Sequence, residues 1–136
     1  MKIFLDANIC LDLLDTTRVN SKNSIDFYKK NISNSFYFSG DFITTFYYIM
    51  TERKKYDKQK TIKAIDLLSQ NIEPVYIIHT DFLYAKRDFF KNVFEDFEDL
   101  IILHSALRKN CDKFITNDKV LNNLQIFYNL NIESPK

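Results

Sequence analysis

The chain has 136 residues, of which 46% are hydrophobic, so it is long enough and apolar enough for one compact domain with a continuous core. Nineteen basic residues nearly balance eighteen acidic ones, and the formal charge of +1 is too small for a protein that coats nucleic acid over its whole surface. The single glycine, Gly40, excludes P-loops and dinucleotide-binding loops, which need several glycines to bring backbone close to phosphate.

Apolar runs typical of strands alternate along the chain with segments of helical spacing. In chain order, the pattern predicts a strand at residues 2–5, a helix that begins at 6–8, a helix at 20–30, a strand at 35–38, helices at 41–53 and 58–69, a strand at 75–78, helices at 81–90 and 96–108, and strands at 113–116 and 125–128. This alternation indicates a parallel sheet covered on both faces. We therefore expect an α/β fold class: a single three-layer α/β/α domain over residues 1–136, with a central, mostly parallel sheet.

Acidic residues follow two of the predicted strands. Asp6 comes directly after the apolar residues 3–5, and Asp118 comes after residues 113–116 and Asn117. In open α/β sheets, ligands bind beyond the carboxyl ends of the strands, which is where both acids are expected. Each acid also has a purely structural interpretation: Asp6 as the N-cap of the next helix, and Asp118 as a turn residue that hydrogen-bonds backbone.

Three further acids, Asp96, Glu98 and Asp99, crowd the start of the apolar helix predicted at 96–108. Asp96 and Asp99 are three residues apart and share one helix face. A cap and the helix dipole explain acids at this place. One cap is enough, however, and three neighbouring carboxylates repel each other unless a cation lies among them.

Taken together, these acids predict a site for a hard divalent cation such as Mg²⁺ or Mn²⁺, which prefers carboxylate oxygens. A cation of this kind can activate water and stabilise the charge that develops on a phosphodiester. No cluster of histidine or cysteine competes with this interpretation: His79 is isolated, and His104, Cys10 and Cys111 are expected to be core residues. Phosphotransfer on an aspartate is a poorer match, because Asn8 occupies the second position of the D-x-D pattern.

The segments IFLDANICLDLL (residues 3–14) and DFEDLIILHSALRKNCDKFITND (residues 96–118) resemble the PIN domain family. Many of its small bacterial members are toxins of VapBC-type toxin–antitoxin pairs, and the resemblance covers nearly the whole chain. It implies a PIN-like fold and a metal-dependent endoribonuclease that uses Mg²⁺ or Mn²⁺. Asp6, Asp99 and Asp118 match the family's catalytic, metal-binding acids.

The resemblance also implies supporting roles. Thr116 matches a hydroxyl residue that the family carries beside its last acid. Asn8 matches a polar position near the first acid, and Asp96 matches an extra acid that some members carry. One position departs from the family pattern, because Thr45 stands where an acid usually follows the second strand. Glu52 is seven residues later, about 10 Å along a helix, and is not equivalent.

Family likeness suggests an RNA substrate, an antitoxin partner and a homodimer. The basic residues Arg53, Lys54 and Lys55 are either a phosphate-binding edge for RNA or a solvated surface. Because Thr45 replaces an acid, the alternative function is a catalytically impaired PIN-fold module that binds RNA or protein. No apolar stretch approaches the length of a membrane span, and no secretory signal is evident, so we expect a cytoplasmic protein.

Overall fold

A six-stranded sheet forms the centre of the computed structural model, which describes residues 1–136. Its strands are β1 Lys2–Leu5, β2 Ser35–Ser39, β3 Glu73–Val75, β4 Lys113–Ile115, β5 Ile126–Phe127 and β6 Leu130–Glu133. They lie in the order β3-β2-β1-β4-β6-β5. Every neighbouring pair is parallel except the β5–β6 hairpin, which confirms the predicted α/β class with a mostly parallel sheet.

Seven α-helices surround the sheet. They are α1 Ala7–Leu14, α2 Ser21–Lys30, α3 Ile43–Tyr48, α4 Lys58–Asn71, α5 His79–Phe90, α6 Phe97–Arg108 and α7 Lys119–Leu124. A 3₁₀ turn, Gly40–Phe42, precedes α3, and a π-helical turn, Ile49–Arg53, continues it. None of the helices combines the length and the apolar character needed to cross a membrane.

Alternation along the strands divides the buried side chains between two cores. Ile3 and Leu5 pack with residues of α1 to α4, whereas Phe4 packs with residues of α5, α6 and α7. The Phe4 ring stacks on the Phe114 ring of β4, with 5.4 Å between ring centroids. Strand β1 is therefore buried on both faces, which explains its uninterrupted apolar sequence.

The strand predicted at 75–78 is wrong beyond its first residue, because β3 ends at Val75. The chain leaves the sheet at Tyr76, whose carbonyl accepts a hydrogen bond from Arg108 Nη2 at 2.7 Å. Tyr76 and Ile78 are 53% and 46% exposed, so their apolar character does not reflect burial in a strand. Helix α5 then begins two residues earlier than predicted, and the Asp81 carboxylate accepts a hydrogen bond from the Ile78 backbone N–H.

The single helix predicted at 41–53 is instead three consecutive helical segments. The Thr51 hydroxyl donates a hydrogen bond to the Tyr47 carbonyl at 2.7 Å, and the Lys54 N–H reaches the Ile49 carbonyl, five residues back. Side-chain bonds of this kind compete with the regular helical ladder, and π-turns form where an extra residue is inserted.

The strand predicted at 125–128 is also wrong in extent. Gln125 and Tyr128 both have positive φ, 64° and 55°, so they end α7 and turn the hairpin, leaving only β5 between them. Helix α7 and strand β6 were not predicted. Leu130 and Ile132 of β6 are buried, but they alternate with Asn131 and Glu133 over only four residues, too few for a clear pattern.

Candidate active site

Asp6 follows β1 at the carboxyl edge of the sheet and is held from two sides. Its Oδ1 accepts a hydrogen bond from the Ala7 N–H at 2.8 Å, which makes Asp6 the N-cap of α1. Its Oδ2 accepts a hydrogen bond from Thr116 Oγ1 at 2.7 Å. The observed position of Asp6 is therefore compatible with both interpretations, as a helix cap and as a residue of a metal site.

Thr116 links Asp6 to Asp118. Its side chain is fully buried, and its Oγ1 also accepts a hydrogen bond from the Asp118 N–H at 3.0 Å. Asp118 Oδ1 in turn accepts hydrogen bonds from Val120 N and Leu121 N, at 2.8 and 3.3 Å, and so caps α7. One carboxylate after β1 and one after β4 are therefore fixed around a single buried hydroxyl.

Asp99 approaches the same place from α6. Asp96 caps this helix, because its Oδ1 accepts a hydrogen bond from the Asp99 N–H at 3.0 Å. Burial and then the negative charges of Asp96, Asp6 and Asp118 raise the pKa of Asp99 to about 7. The structure thus brings together acids that lie 90 or more residues from Asp6 in the sequence, within electrostatic reach of one another.

The pKa of Asp6 is raised as well. Burial is the largest cause, and the nearby charge of Asp118 adds to it. The hydrogen bonds from Thr116 and Ala7 oppose the shift, because they stabilise the carboxylate form. Asp6 and Asp99 therefore both lie in surroundings where negative charge is costly.

The five acids at this edge, called the acidic cluster below, have no cationic partner: Asp6, Asp96, Glu98, Asp99 and Asp118. The chain contains eight salt bridges, and none includes a member of the acidic cluster. As the side chains stand, no three acidic, imidazole or thiol groups lie close enough to ligate one ion. The donor atoms and their unbalanced charge fit a hard divalent cation, whereas a preformed ligand cage is absent.

Thr45 lies beside this cluster. It lines a cleft of about 180 Å³ together with Asp41, Glu98 and Ile102. The Asp41 carboxylate accepts a hydrogen bond from the Ile77 N–H at 2.9 Å. The side of the site that faces α3 therefore carries a threonine hydroxyl, and α3 itself contains no acid.

The contacts of Asn8 and of the basic residues are with side chains outside the acidic cluster. Asn8 is exposed, and its Oδ1 accepts a 3.5 Å hydrogen bond from Arg18 Nη2. Arg53 lies over the Tyr48 ring at 5.8 Å, and Lys54 pairs with the buried Asp15 at 3.7 Å. Asp6 and Asp15 cap opposite ends of α1, so Lys54 pairs with the acid at the end of that helix away from Asp6.

The structure also contains a buried polar network that the sequence did not reveal. His104, a predicted hydrogen-bonded core residue, is 5% exposed, and its Nε2 lies 2.6 Å from Asp88 Oδ2. Asp88 Oδ1 accepts further hydrogen bonds from Tyr128 at 2.9 Å and Arg87 at 3.2 Å. Asp88 and Tyr128 are 40 positions apart and share no sequence pattern, so only the fold reveals their contact. Cys10 and Cys111 are buried and unpaired, as expected of core cysteines.

Fold and site define an α/β domain whose acidic cluster lies at the carboxyl ends of its parallel strands, the edge at which open α/β sheets bind ligands. The sequence model of the PIN domain family matches residues 3–126, so the chain belongs to this family. The chain is 31% identical over 122 residues to Ribonuclease VapC1 of Aquifex aeolicus (strain VF5), an alignment that covers 87% of this chain and 82% of that protein.

Two solved structures share the fold. VapBC2 from Rickettsia felis, bound to a DNA fragment from its promoter, contains a chain with a TM-score of 0.66 and 20% identity. VapBC-1 from nontypeable Haemophilus influenzae contains one with a TM-score of 0.65 and 17% identity. In both cases the match covers 98% of each chain, so nearly all of this chain shares the fold.

Proposed function

We propose that this protein is a metal-dependent endoribonuclease, the toxin of a toxin–antitoxin pair, with Asp6, Asp99 and Asp118 as its catalytic acids. The similarity to Ribonuclease VapC1 supports the activity. The observation that carries the proposed site is geometric: Asp6 and Asp118 are fixed around the buried Thr116 hydroxyl, with Asp99 within electrostatic reach, and no basic residue neutralises the repulsion between these carboxylates. A divalent cation among these groups would remove that repulsion.

Asp6, Asp99 and Asp118 would hold Mg²⁺ or Mn²⁺, with Asp96 as an additional acid. When bound, the cation supplies Lewis-acid stabilisation of negative charge and lowers the pKa of water. Hydrogen bonds from Ala7 and Thr116 fix the Asp6 carboxylate, and those from α7 fix one oxygen of Asp118. Burial and the neighbouring carboxylates raise the pKa of Asp99 to about 7, so at neutral pH a fraction of Asp99 must lose a proton when the cation binds.

We infer three kinds of partner. RNA is the proposed substrate, with Arg53, Lys54 and Lys55 as a phosphate-binding edge beyond the far end of α1. An antitoxin protein is proposed because both similar solved structures are VapBC complexes. A second copy of the chain is proposed as the partner of the exposed aromatic residues on α5, among which Phe90 is 76% exposed. The expected compartment is the cytoplasm.

The replacement at Thr45 favours a second candidate function. If the missing acid is essential, the fold is a binding module for RNA or protein in which the acids serve only as helix caps and turns. Asp6, Asp96 and Asp118 all accept cap hydrogen bonds, which is what this alternative requires.

Thermal melting with EDTA, Mg²⁺ or Mn²⁺ separates the two candidates. Under the ribonuclease proposal, Mn²⁺ raises the midpoint of the wild type, and Asp99→Asn loses most of this rise, because binding to the native state stabilises it. Asp66→Asn is the matched control: the same substitution on the exposed face of α4, where the metal response should be unchanged. Cleavage of an RNA pool by the wild type and not by Asp6→Asn completes the test. Absence of both a metal response and cleavage would favour the binding module.

A further inference from the structure

Ser39, the last residue of β2, has an unusual side chain for its place in the fold. It is 4% exposed. Its Oγ is the one buried side-chain polar atom in the chain without a hydrogen-bond partner. A buried hydroxyl without a partner is unfavourable, and each such group in a native protein calls for an explanation.

The sheet register places Ser39 beside Asp6. Leu5 of β1 pairs with Phe38 of β2 on one side and with Ile115 of β4 on the other. The next residues along the three strands are Ser39, Asp6 and Thr116, which therefore lie side by side at the carboxyl edge. The hydrogen bond between Thr116 and Asp6 agrees with this register.

The same three side chains point to the same face of the sheet. Side chains two residues apart on a strand share a face. Tyr37, Phe4 and Phe114, two residues earlier on each strand, belong to the core beneath α5 and α6. Ser39, Asp6 and Thr116 therefore face α6, which is the helix that carries Asp99.

The two hydroxyls that flank Asp6 differ in their bonding. Thr116 donates to Asp6 Oδ2 and accepts from the Asp118 N–H, so its hydroxyl both donates and accepts within the protein. Ser39 on the other side uses neither its proton nor its lone pairs. Ser39 also lies on the β2 side of the site, from which α3 contributes Thr45 where related chains usually carry an acid.

We propose that Ser39 is a positioning residue of the acidic site, whose hydroxyl orients the hydrated divalent cation that Asp6 and Asp99 bind. This inference rests on the proposed function. Serine suits this role because it can donate to one oxygen and accept from another. Hydrogen bonds of this outer kind tune metal affinity without contributing a ligand.

The test is Mn²⁺ affinity, measured by electron paramagnetic resonance of free Mn²⁺, together with the melting midpoint in EDTA. Ser39→Ala should keep or raise the EDTA midpoint, because it removes an unsatisfied buried hydroxyl. The Mn²⁺ dissociation constant should rise about tenfold or more. Ser39→Cys, which keeps the branching of the side chain but has a larger atom and a poorer hydrogen-bond donor, should weaken Mn²⁺ binding in the same direction.

Ser105→Ala is the matched control. Ser105 is also fully buried, but its hydroxyl donates to the Ile102 carbonyl at 2.6 Å within α6. This variant should melt at a lower temperature and bind Mn²⁺ as the wild type does. Unchanged Mn²⁺ affinity in Ser39→Ala, with intact wild-type binding, would overturn this inference alone. A wild type that binds no Mn²⁺ would overturn the proposed function as well.

Discussion

At the scale of single residues, Asp99 is a carboxyl group whose pKa is raised towards neutral pH. Its pKa is raised to about 7, first by burial and then by the charges of Asp96, Asp6 and Asp118. A carboxyl of an unfolded chain titrates near pH 3.9. Between these two values the folded chain binds the Asp99 proton more tightly than the unfolded chain does.

The free energy of unfolding should therefore fall as the pH rises from about 4 to about 7 in EDTA, because the native state must give up a proton that it holds more tightly. Asp99→Asn should lose much of this fall and melt above the wild type at alkaline pH. Melting midpoints across the pH range in EDTA test this prediction. The control Asp66→Asn should keep the wild-type slope, and an identical slope in Asp99→Asn would contradict the raised pKa.

Sequence reasoning could single out Asp6, Asp99 and Asp118 because acids recur where strands end or a buried helix begins, although each of these places also suits a helix cap or a turn. Thr116 could be found through its family position. Ser39 could not, because a serine at the end of an apolar run carries no signal until the register places it beside Asp6. The proposed role of Ser39 depends on its neighbours on adjacent strands, which the sequence alone does not reveal.

At the scale of elements, the polar network around Asp88 joins α5 to α6 and to the β5–β6 hairpin. His104 is on α6, Tyr128 is in the hairpin turn and Arg87 is on α5, and all three contact the Asp88 carboxylate. Burial alone would raise the pKa of Asp88, yet these hydrogen bonds lower it below its ordinary value. The ionised Asp88 therefore stabilises the folded state at any pH above the ordinary pKa of a carboxyl group. This contribution is lost as the pH falls through the lowered pKa of Asp88.

Asp88→Ala should lower the free energy of unfolding by about 3–5 kcal/mol, because it leaves the buried His104 and the Tyr128 hydroxyl without their acceptor. Urea denaturation at neutral pH measures this loss. Asp26→Ala is the control: Asp26 pairs with Lys22 on the exposed face of α2 at 3.0 Å, and its removal should cost about 0–1 kcal/mol. Equal losses in the two variants would contradict the structural role of the network.

The sequence predicted element boundaries well where the hydrophobic periodicity extends over a long segment. It predicted them poorly where an unusual backbone conformation sets the boundary. The helices predicted at 20–30, 58–69, 81–90 and 96–108 end within two residues of the observed α2, α4, α5 and α6. The carboxyl-terminal hairpin was missed because Gln125 and Tyr128 adopt positive φ without being glycine or asparagine. Local propensity gives little warning of left-handed turns at such residues.

Across the whole molecule, α5 and the start of α6 present an exposed aromatic surface. Phe97 packs edge-on against Phe82 and Phe89, with ring centroids 5.8 and 5.7 Å apart, and Phe90 contacts Phe89. Phe90 is 76% exposed, more than the other two residues of α5 in this group. An apolar surface of this kind suits the proposed contact with a second copy of the chain.

Phe90→Asp should convert a wild-type dimer to a monomer without lowering the melting midpoint of the monomer, because its ring makes few contacts within one chain. Light scattering coupled to gel filtration measures the mass. Ile62→Asp on α4, where Ile62 is 55% exposed, should leave the mass unchanged. A wild type that is monomeric at micromolar concentration would contradict the homodimer.

The hydrogen bond between Thr116 and Asp6 joins residues 110 positions apart in the sequence. Strand β1 is made first, but its acid gains its partners only when β4 has been synthesised and has inserted next to it. A nascent or truncated chain that stops before Thr116 carries Asp6 without Thr116 or Asp118. During translation, the arrangement of Asp6, Thr116 and Asp118 can therefore form only after β4 and the residues that follow it have been synthesised.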